Sequence, residues 1–206
     1  MNPSAIRGLY VLIDTTWLAP ERLVEACAAA IAGGARLIQY RDKAASAEAR
    51  FERGHALFQC CRRKGALFIV NDDVDLAFSL NAHGVHIGEH DSTIAAAREC
   101  LGPLAIIGAS CYDSVVNAQR AADAGASYLA FGAFFQSDTK PNARHAEPFL
   151  LRKAKPFGLP LVAIGGITPD NGGELIAAGA NALAVSRGVL VGDIEANARR
   201  YAALFT

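Results

Sequence analysis

The sequence predicts an α/β chain folded as a single-domain, closed (β/α)8 TIM barrel over residues 1–206, and three observations carry that expectation. One phrase recurs almost unchanged, as AGGARLIQY (32–40), AGASYLAFG (124–132) and AGANALAVS (178–186), with NAHGVHIG (81–88) a looser copy. In each, a glycine ends a helix and an apolar strand starts a few residues later. Eight strand candidates alternate in this way with helical or loop segments, and strands so apolar belong in a parallel sheet covered on both faces. A doubly wound open sheet is the alternative, but the G-x-G-x-x-G fingerprint expected after its first strand is absent.

In chain order the strands are GLYVLID (8–14), RLIQYR (36–41), LFIV (67–70), GVHI (84–87), LAIIGA (104–109), YLAFG (128–132), LVAIG (161–165) and ALAVS (182–186). Between the first two, Glu21–Ile31 carries Leu23, Ala26, Cys27, Ala30 and Ile31 at helical spacing. The pattern returns over Asp113–Ala124, with Asp113 as the expected N-cap. Cys60 and Cys61 lie in a helical stretch running into Arg62, Arg63 and Lys64, as buried thiols beside a solvated helix end. Thr168 and Pro169 are expected to open a helix after AIGG.

A chain of 206 residues that is 52% hydrophobic and 19% charged suits one compact domain, without linker or low-complexity tract. Twenty basic and twenty acidic residues cancel to +0, which excludes a global field for nucleic acid or an anionic membrane. The five cysteines contain no C-x-x-C and fit neither a disulfide framework nor a zinc ribbon. No apolar h-region follows a basic start and no run approaches a membrane span, so a cytoplasmic protein, monomer or homo-oligomer, is expected.

In LIQYRDK (37–43), side chains alternate faces, so Gln39, Arg41 and Lys43 share one side while Ile38, Tyr40 and Asp42 take the other. Polar residues collect at the other strand ends as well: Asn71 and Asp72 after LFIV, Asp91 after GVHI, Ser110 after LAIIGA, and Lys140 in the loop after YLAFG. The carboxyl ends of barrel strands surround a common mouth, where chemistry is done. Arg41, Lys43 and Lys140 suit a polyanion such as a diphosphate. Asp72 and Asp91 are the carboxylates that Mg²⁺ would use together with phosphate oxygens and water. Gly165 and Gly166 after the seventh strand, and Ser186-Arg187-Gly188 after the eighth, match the phosphate site that recurs there in such barrels. His83, His86 and His90 do not read as a zinc site, because His83 and His86 face opposite sides of a strand. Trp17 falls in the first strand-to-helix loop.

QYRDK (39–43), VNDDVDLA (70–77), GVHIGEHD (84–91), IIGASCY (106–112), FGAFFQSDTK (131–140), AIGGI (163–167) and ALAVS (182–186), in this order, resemble the thiamine phosphate synthase family along essentially the whole chain. The resemblance implies a transferase that joins 4-amino-2-methyl-5-hydroxymethylpyrimidine diphosphate to a thiazole phosphate with Mg²⁺ bound. Diphosphate leaves first, and the thiazole nitrogen captures the pyrimidine carbocation. Carried over, Gln39 grips the pyrimidine, while Arg41, Lys43, Asn71, Ser110 and Lys140 hold the diphosphate. Asp72 and Asp91 hold Mg²⁺, and Ser137, Thr139, Gly166 and Ser186 meet the thiazole phosphate. The chain departs from the family pattern at Gly88-Glu89-His90-Asp91, where G-Q-x-D is usual, at Ala133, Gln136 and Ser137, and at Arg187-Gly188. A thiazole tautomerase-like paralogue and a regulatory barrel that binds thiamine phosphate without turnover are the rival readings.

Overall fold

The computed structural model describes residues 5–136 and 145–206. Among them the strands are β1 (Gly8–Asp14), β2 (Ala35–Arg41), β3 (Leu67–Asn71), β4 (Gly84–Ile87), β5 (Ile106–Tyr112), β6 (Tyr128–Phe131), β7 (Leu161–Ile164) and β8 (Ala182–Val185). They are parallel, each pairs with the next, and β8 pairs with β1 from Gly8↔Ala182 to Val11↔Val185, closing the expected barrel. Helices between the strands cover its outside: α1 (Leu23–Ala32), α2 (Ala47–Lys64), α3 (Val74–Ser79), α4 (Ile94–Leu101), α5 (Val115–Asp123), α6 (Phe149–Ala154) and α7 (Gly172–Ala178). The short α8 (Arg187–Leu190) and α9 (Ile194–Ala202) follow β8.

Alternation along the strands divides the core in two. On β1, Leu9, Val11 and Ile13 join the outer layer against the helices, while Tyr10 and Leu12 join a separate cluster inside the barrel. That inner cluster also holds Leu37, Ile69, Ile106, Tyr128, Ala130, Val162, Ala182 and Ala184. Extending the alternation towards the carboxyl ends brings Asp14, Gln39 and Arg41 inward, and Asp14 and Gln39 are buried polar residues. The barrel is therefore packed with apolar side chains below and polar ones above.

Local chemistry sets the helix ends. The Ser46, Asp73, Thr93, Ser114 and Asp193 side chains each accept a hydrogen bond from the N–H three residues on, capping α2, α3, α4, α5 and α9. Two expectations shift. Ser114, not Asp113, caps the fifth helix, its Oγ accepting from Asn117 N at 3.1 Å. The helix expected at Thr168 starts instead at Gly172, because Thr168 and Asn171 first close a turn: each side-chain oxygen accepts from the other's N–H, at 3.3 and 2.8 Å. The first helix is preceded by a 3-10 turn at Pro20–Arg22. The thiols are free and Cys27, Cys60, Cys61 and Cys111 are buried, as expected of reduced core residues.

The end of β2 is anchored from outside by Asp42. Its carboxylate accepts from Thr15 Oγ1 (3.1 Å), Tyr40 Oη (3.2 Å), Arg53 Nη1 (2.8 Å) and the N–H groups of Ala44 (3.4 Å) and Ala45 (3.2 Å). Burial alone would raise its pKa, but Arg53 and the other donors together hold it below the ordinary aspartate value. A depressed folded pKa stabilises the fold above the ordinary value, and that contribution is lost as pH falls through the folded one. Asp42→Asn should therefore cost about 1.5 to 3 kcal/mol at neutral pH, the range for hydrogen bonds to a charged group. The deficit against wild type should shrink as pH is lowered through the folded value, which urea unfolding midpoints across a pH series will read.

Candidate active site

The polar strand ends converge on one mouth. Arg41 Nη1 meets Asp14 Oδ2 at 2.8 Å, joining the ends of β2 and β1. Lys43 Nζ meets Asp72 Oδ2 at 2.8 Å, joining the segments that follow β2 and β3. The lysine side chain is 61% exposed and the aspartate 26%, so this pair adds little to stability, and both groups stay accessible to a ligand. Beside them a cavity of about 320 Å³ is lined by Asp42, Lys43, Arg50, Asn71, Asp72 and Asp73.

Asp72 is held in a left-handed conformation, φ 65°, which a residue with a Cβ adopts only when its surroundings impose it. Its N–H donates to His86 O at 2.8 Å, turning the chain across the end of β4. There the Asp72 and Asp91 carboxyls stand close enough to bias each other's ionisation. Asp91 Oδ2 also accepts from Gly88 N at 2.7 Å, which brings the carboxyl back over β4. Burial and the neighbouring Asp72 carboxylate raise the Asp91 pKa against the pull of the Gly88 N–H. Burial works against Asp72 ionisation too, but Lys43 leads the groups that hold its pKa below the ordinary value. Two carboxyls that disfavour ionising together thus stand beside a lysine. A divalent cation fits that donor set, because its charge offsets both. Among the described residues no cluster of three or more His, Cys, Asp or Glu has metal-holding geometry, so Mg²⁺ here would complete its shell from phosphate oxygens and water.

On the opposite side, Gly165 and Gly166 follow β7 with φ of 101° and 64°. A Cβ at Gly165 would run into Ala133, and one at Gly166 into the carbonyls of Phe135 and Gln136, so both positions require glycine. The loop after β6 is fastened here through Phe134 N to Ile164 O (3.2 Å) and Phe135 N to Gly165 O (3.0 Å). Ser186 follows β8 and donates from Oγ to Leu12 O at 3.2 Å. Arg187 begins α8 with its guanidinium carbon 5.3 Å from the centre of the Trp17 ring, an arginine-on-indole contact between the first and last strand-to-helix connections.

Of the residues expected from sequence, Gln39, Arg41, Lys43, Asn71, Asp72, Asp91, Ser110, Gly166 and Ser186 all stand at the carboxyl ends of the barrel strands or just beyond them. Ser137, Thr139 and Lys140 lie outside the described residues. His83 is a structural residue, its Nδ1 accepting from Phe68 N at 3.0 Å. His86 is not idle: Nε2 lies 2.9 Å from Ser110 Oγ and Nδ1 2.9 Å from Tyr128 Oη. Tyr10 joins the site as well, accepting from Gln39 Nε2 at 2.8 Å. Asp14, Tyr10, Tyr128 and His86 were not among the expected site residues. Period-two alternation was the available signal, since Tyr10 and Asp14 share a face of β1 just as Gln39 and Arg41 share one of β2.

Residues 9–189 match the family model described as thiamine monophosphate synthase. The thiamine-phosphate synthase of Methylobacillus flagellatus is 50% identical over 205 residues, covering 97% of this chain and 96% of that one. That of Chromobacterium violaceum is 50% identical over 198 residues, covering 96% and 95%. The solved thiamine phosphate pyrophosphorylase from Pyrococcus furiosus superposes with a TM-score of 0.88 at 36% identity, over 98% of this chain and 97% of that one. By sequence along nearly its whole length, and by the barrel that carries these strand-end residues, the chain belongs to the thiamine monophosphate synthase family.

Proposed function

We infer that the chain, a transferase, forms thiamine phosphate by joining 4-amino-2-methyl-5-hydroxymethylpyrimidine diphosphate to a thiazole phosphate. The observation that carries this reading is the Asp72–Asp91 carboxyl pair beside Lys43, with Arg41 at the neighbouring strand end. A tautomerase or a binding barrel has no need of both a paired-carboxylate cation site and two cations for a leaving diphosphate.

In this reading Gln39 contacts the pyrimidine, and Arg41, Lys43, Asn71 and Ser110 contact the diphosphate, with Lys140 added from the loop after β6. The bond between the methylene carbon and the ester oxygen breaks with its electron pair going to oxygen. The thiazole nitrogen then gives its lone pair to the methylene carbon, and no proton need move. Arg41, with donors to spare beside Asp14, and Lys43 meet phosphate oxygens as negative charge grows there, which lowers the barrier electrostatically. Asp72 and Asp91 would hold Mg²⁺, which when bound neutralises charge on the departing diphosphate. Gly166 and Ser186, with Ser137 and Thr139, hold the thiazole phosphate, fixing its nitrogen near the methylene and supplying orientation.

Purified protein mixed with both substrates and Mg²⁺ should yield thiamine phosphate by mass spectrometry. Binding of thiamine phosphate without its formation would favour the regulatory reading instead. Asp91→Ala should lower turnover by about 100-fold or more, the scale seen when one electrostatic contact is lost. Wild-type turnover should stop in excess chelator, and steady-state rates across a Mg²⁺ titration will report both effects.

Arg41→Ala should reduce kcat by roughly 100- to 1,000-fold with a smaller change in KM for the pyrimidine diphosphate, since its partner charge is largest in the transition state. A raised KM at unchanged kcat would make Arg41 a ground-state contact only. The stack of Arg187 on Trp17 gives that arginine a partner of its own, so Arg187→Ala should change KM for the thiazole phosphate less than tenfold, as initial rates at varied thiazole phosphate will show.

A further inference from the structure

Beneath the mouth, five polar side chains from five strands form one continuous hydrogen-bonded chain across the barrel. Ser110 Oγ on β5 meets His86 Nε2 on β4 at 2.9 Å, and His86 Nδ1 meets Tyr128 Oη on β6 at 2.9 Å. Tyr128 Oη meets Tyr10 Oη on β1 at 3.0 Å, and Gln39 Nε2 on β2 donates to Tyr10 Oη at 2.8 Å. Tyr10 is 1% exposed, Tyr128 0% and Gln39 3%. The Tyr128 ring lies flat against β5, where a Cβ at Gly108 would fall inside it, and stacks on His86 with ring centroids 5.6 Å apart. Burial holds both phenols protonated.

Each phenol has a single hydrogen and two neighbours in the chain, so one donor choice dictates the next. With Gln39 Nε2 donating to Tyr10, the Tyr10 hydrogen goes to Tyr128 and the Tyr128 hydrogen to His86 Nδ1. His86 then carries its proton on Nε2 and donates to Ser110, and the Ser110 hydrogen is left for a group in the mouth. In the opposite sense Ser110 spends its hydrogen on His86, and Gln39 turns its oxygen towards Tyr10. The two ends are therefore coupled. Phosphate oxygens only accept, so an anion at Ser110 selects the first sense, in which Gln39 Oε1 is turned away from Tyr10 as an acceptor.

We propose that this chain is a directional relay in which Tyr10, Tyr128 and His86 are positioning residues that make Gln39 an acceptor, selecting a pyrimidine bearing an exocyclic amino group over one bearing an oxo group. The proposal rests on the assignment of Gln39 and Ser110 to the pyrimidine diphosphate, and its test separates the two. In ¹⁵N-histidine-labelled wild-type protein with Mg²⁺ and inorganic diphosphate, long-range ¹H–¹⁵N NMR should report His86 as the neutral Nε2–H tautomer, assigned by its loss in His86→Gln. An Nδ1–H tautomer or an imidazolium would overturn the relay, whether or not any variant folds and whatever the enzyme turns over. In the second arm, kcat/KM is compared for the 4-amino and 4-oxo pyrimidine diphosphates. Tyr128→Phe, which removes only the hydroxyl, should reduce the wild-type preference for the amino substrate at least tenfold, and Tyr10→Phe should do the same. Equal losses on both substrates, leaving the ratio unchanged, would reduce the tyrosines to packing. Turnover of neither substrate by wild type would instead overturn the assignment of function, with the NMR result standing by itself.

Discussion

The Asp42 carboxylate is the interaction on which the mouth depends. It faces outward at the end of β2 and ties that end to the β1 loop through Thr15, to α2 through Arg53 and to its own following turn through Ala44 and Ala45. A slip of β2 by one residue would turn Asp42 into the barrel and send Gln39 and Arg41 out among the helices. With that register held, Gln39 reaches Tyr10, Arg41 reaches Asp14, and Lys43, beyond the strand, reaches Asp72. The carboxylate itself touches none of the residues assigned to substrate, yet it determines where three of them stand.

The mouth holds like charges close together and opposite charges in pairs. Asp72 and Asp91 are brought together, which ionised carboxyls resist, and burial together with the Asp72 carboxylate raises the Asp91 pKa. Arg41 and Lys43 are occupied by Asp14 and Asp72 rather than exposed as bare cations. Arg41 has guanidinium donors besides the one held by Asp14, and a divalent cation can replace Lys43 against Asp72, so phosphate oxygens can be met without stripping either carboxylate of its partner. A chain with no net charge thus gathers charged groups locally at one end of its barrel.

The barrel was legible because its signals are local: a glycine closing each repeat, an apolar run after it, and polar residues where the run ends. Arg41 and Asp72 could be read in the same way, as charges just past apolar strands. Their partners could not. Tyr10 and Tyr128 read as ordinary strand aromatics, and their hydroxyls meet across 118 residues of sequence, a pairing that only closure of the barrel creates. His86 was discounted as a metal ligand because it faces away from His83, and that same inward orientation carries it to Ser110. The left-handed Asp72 carries no glycine to announce it. The helix after β7 starts late because Thr168 and Asn171 satisfy each other first, a competition that a proline near a helix start conceals.

The central claim is that these strand ends stabilise a diphosphate leaving before the new bond forms. Positional isotope exchange tests it most directly, using pyrimidine diphosphate labelled with ¹⁸O in the oxygen between the methylene carbon and the α-phosphorus, with Mg²⁺ and an unreactive thiazole phosphate analogue. If diphosphate departs and returns, recovered substrate will carry label in the non-bridging α-phosphate oxygens, and Arg41→Ala will slow that exchange. Label that stays in the bridge throughout, in enzyme that forms thiamine phosphate from the true thiazole, would contradict the account and point to direct displacement by the thiazole nitrogen.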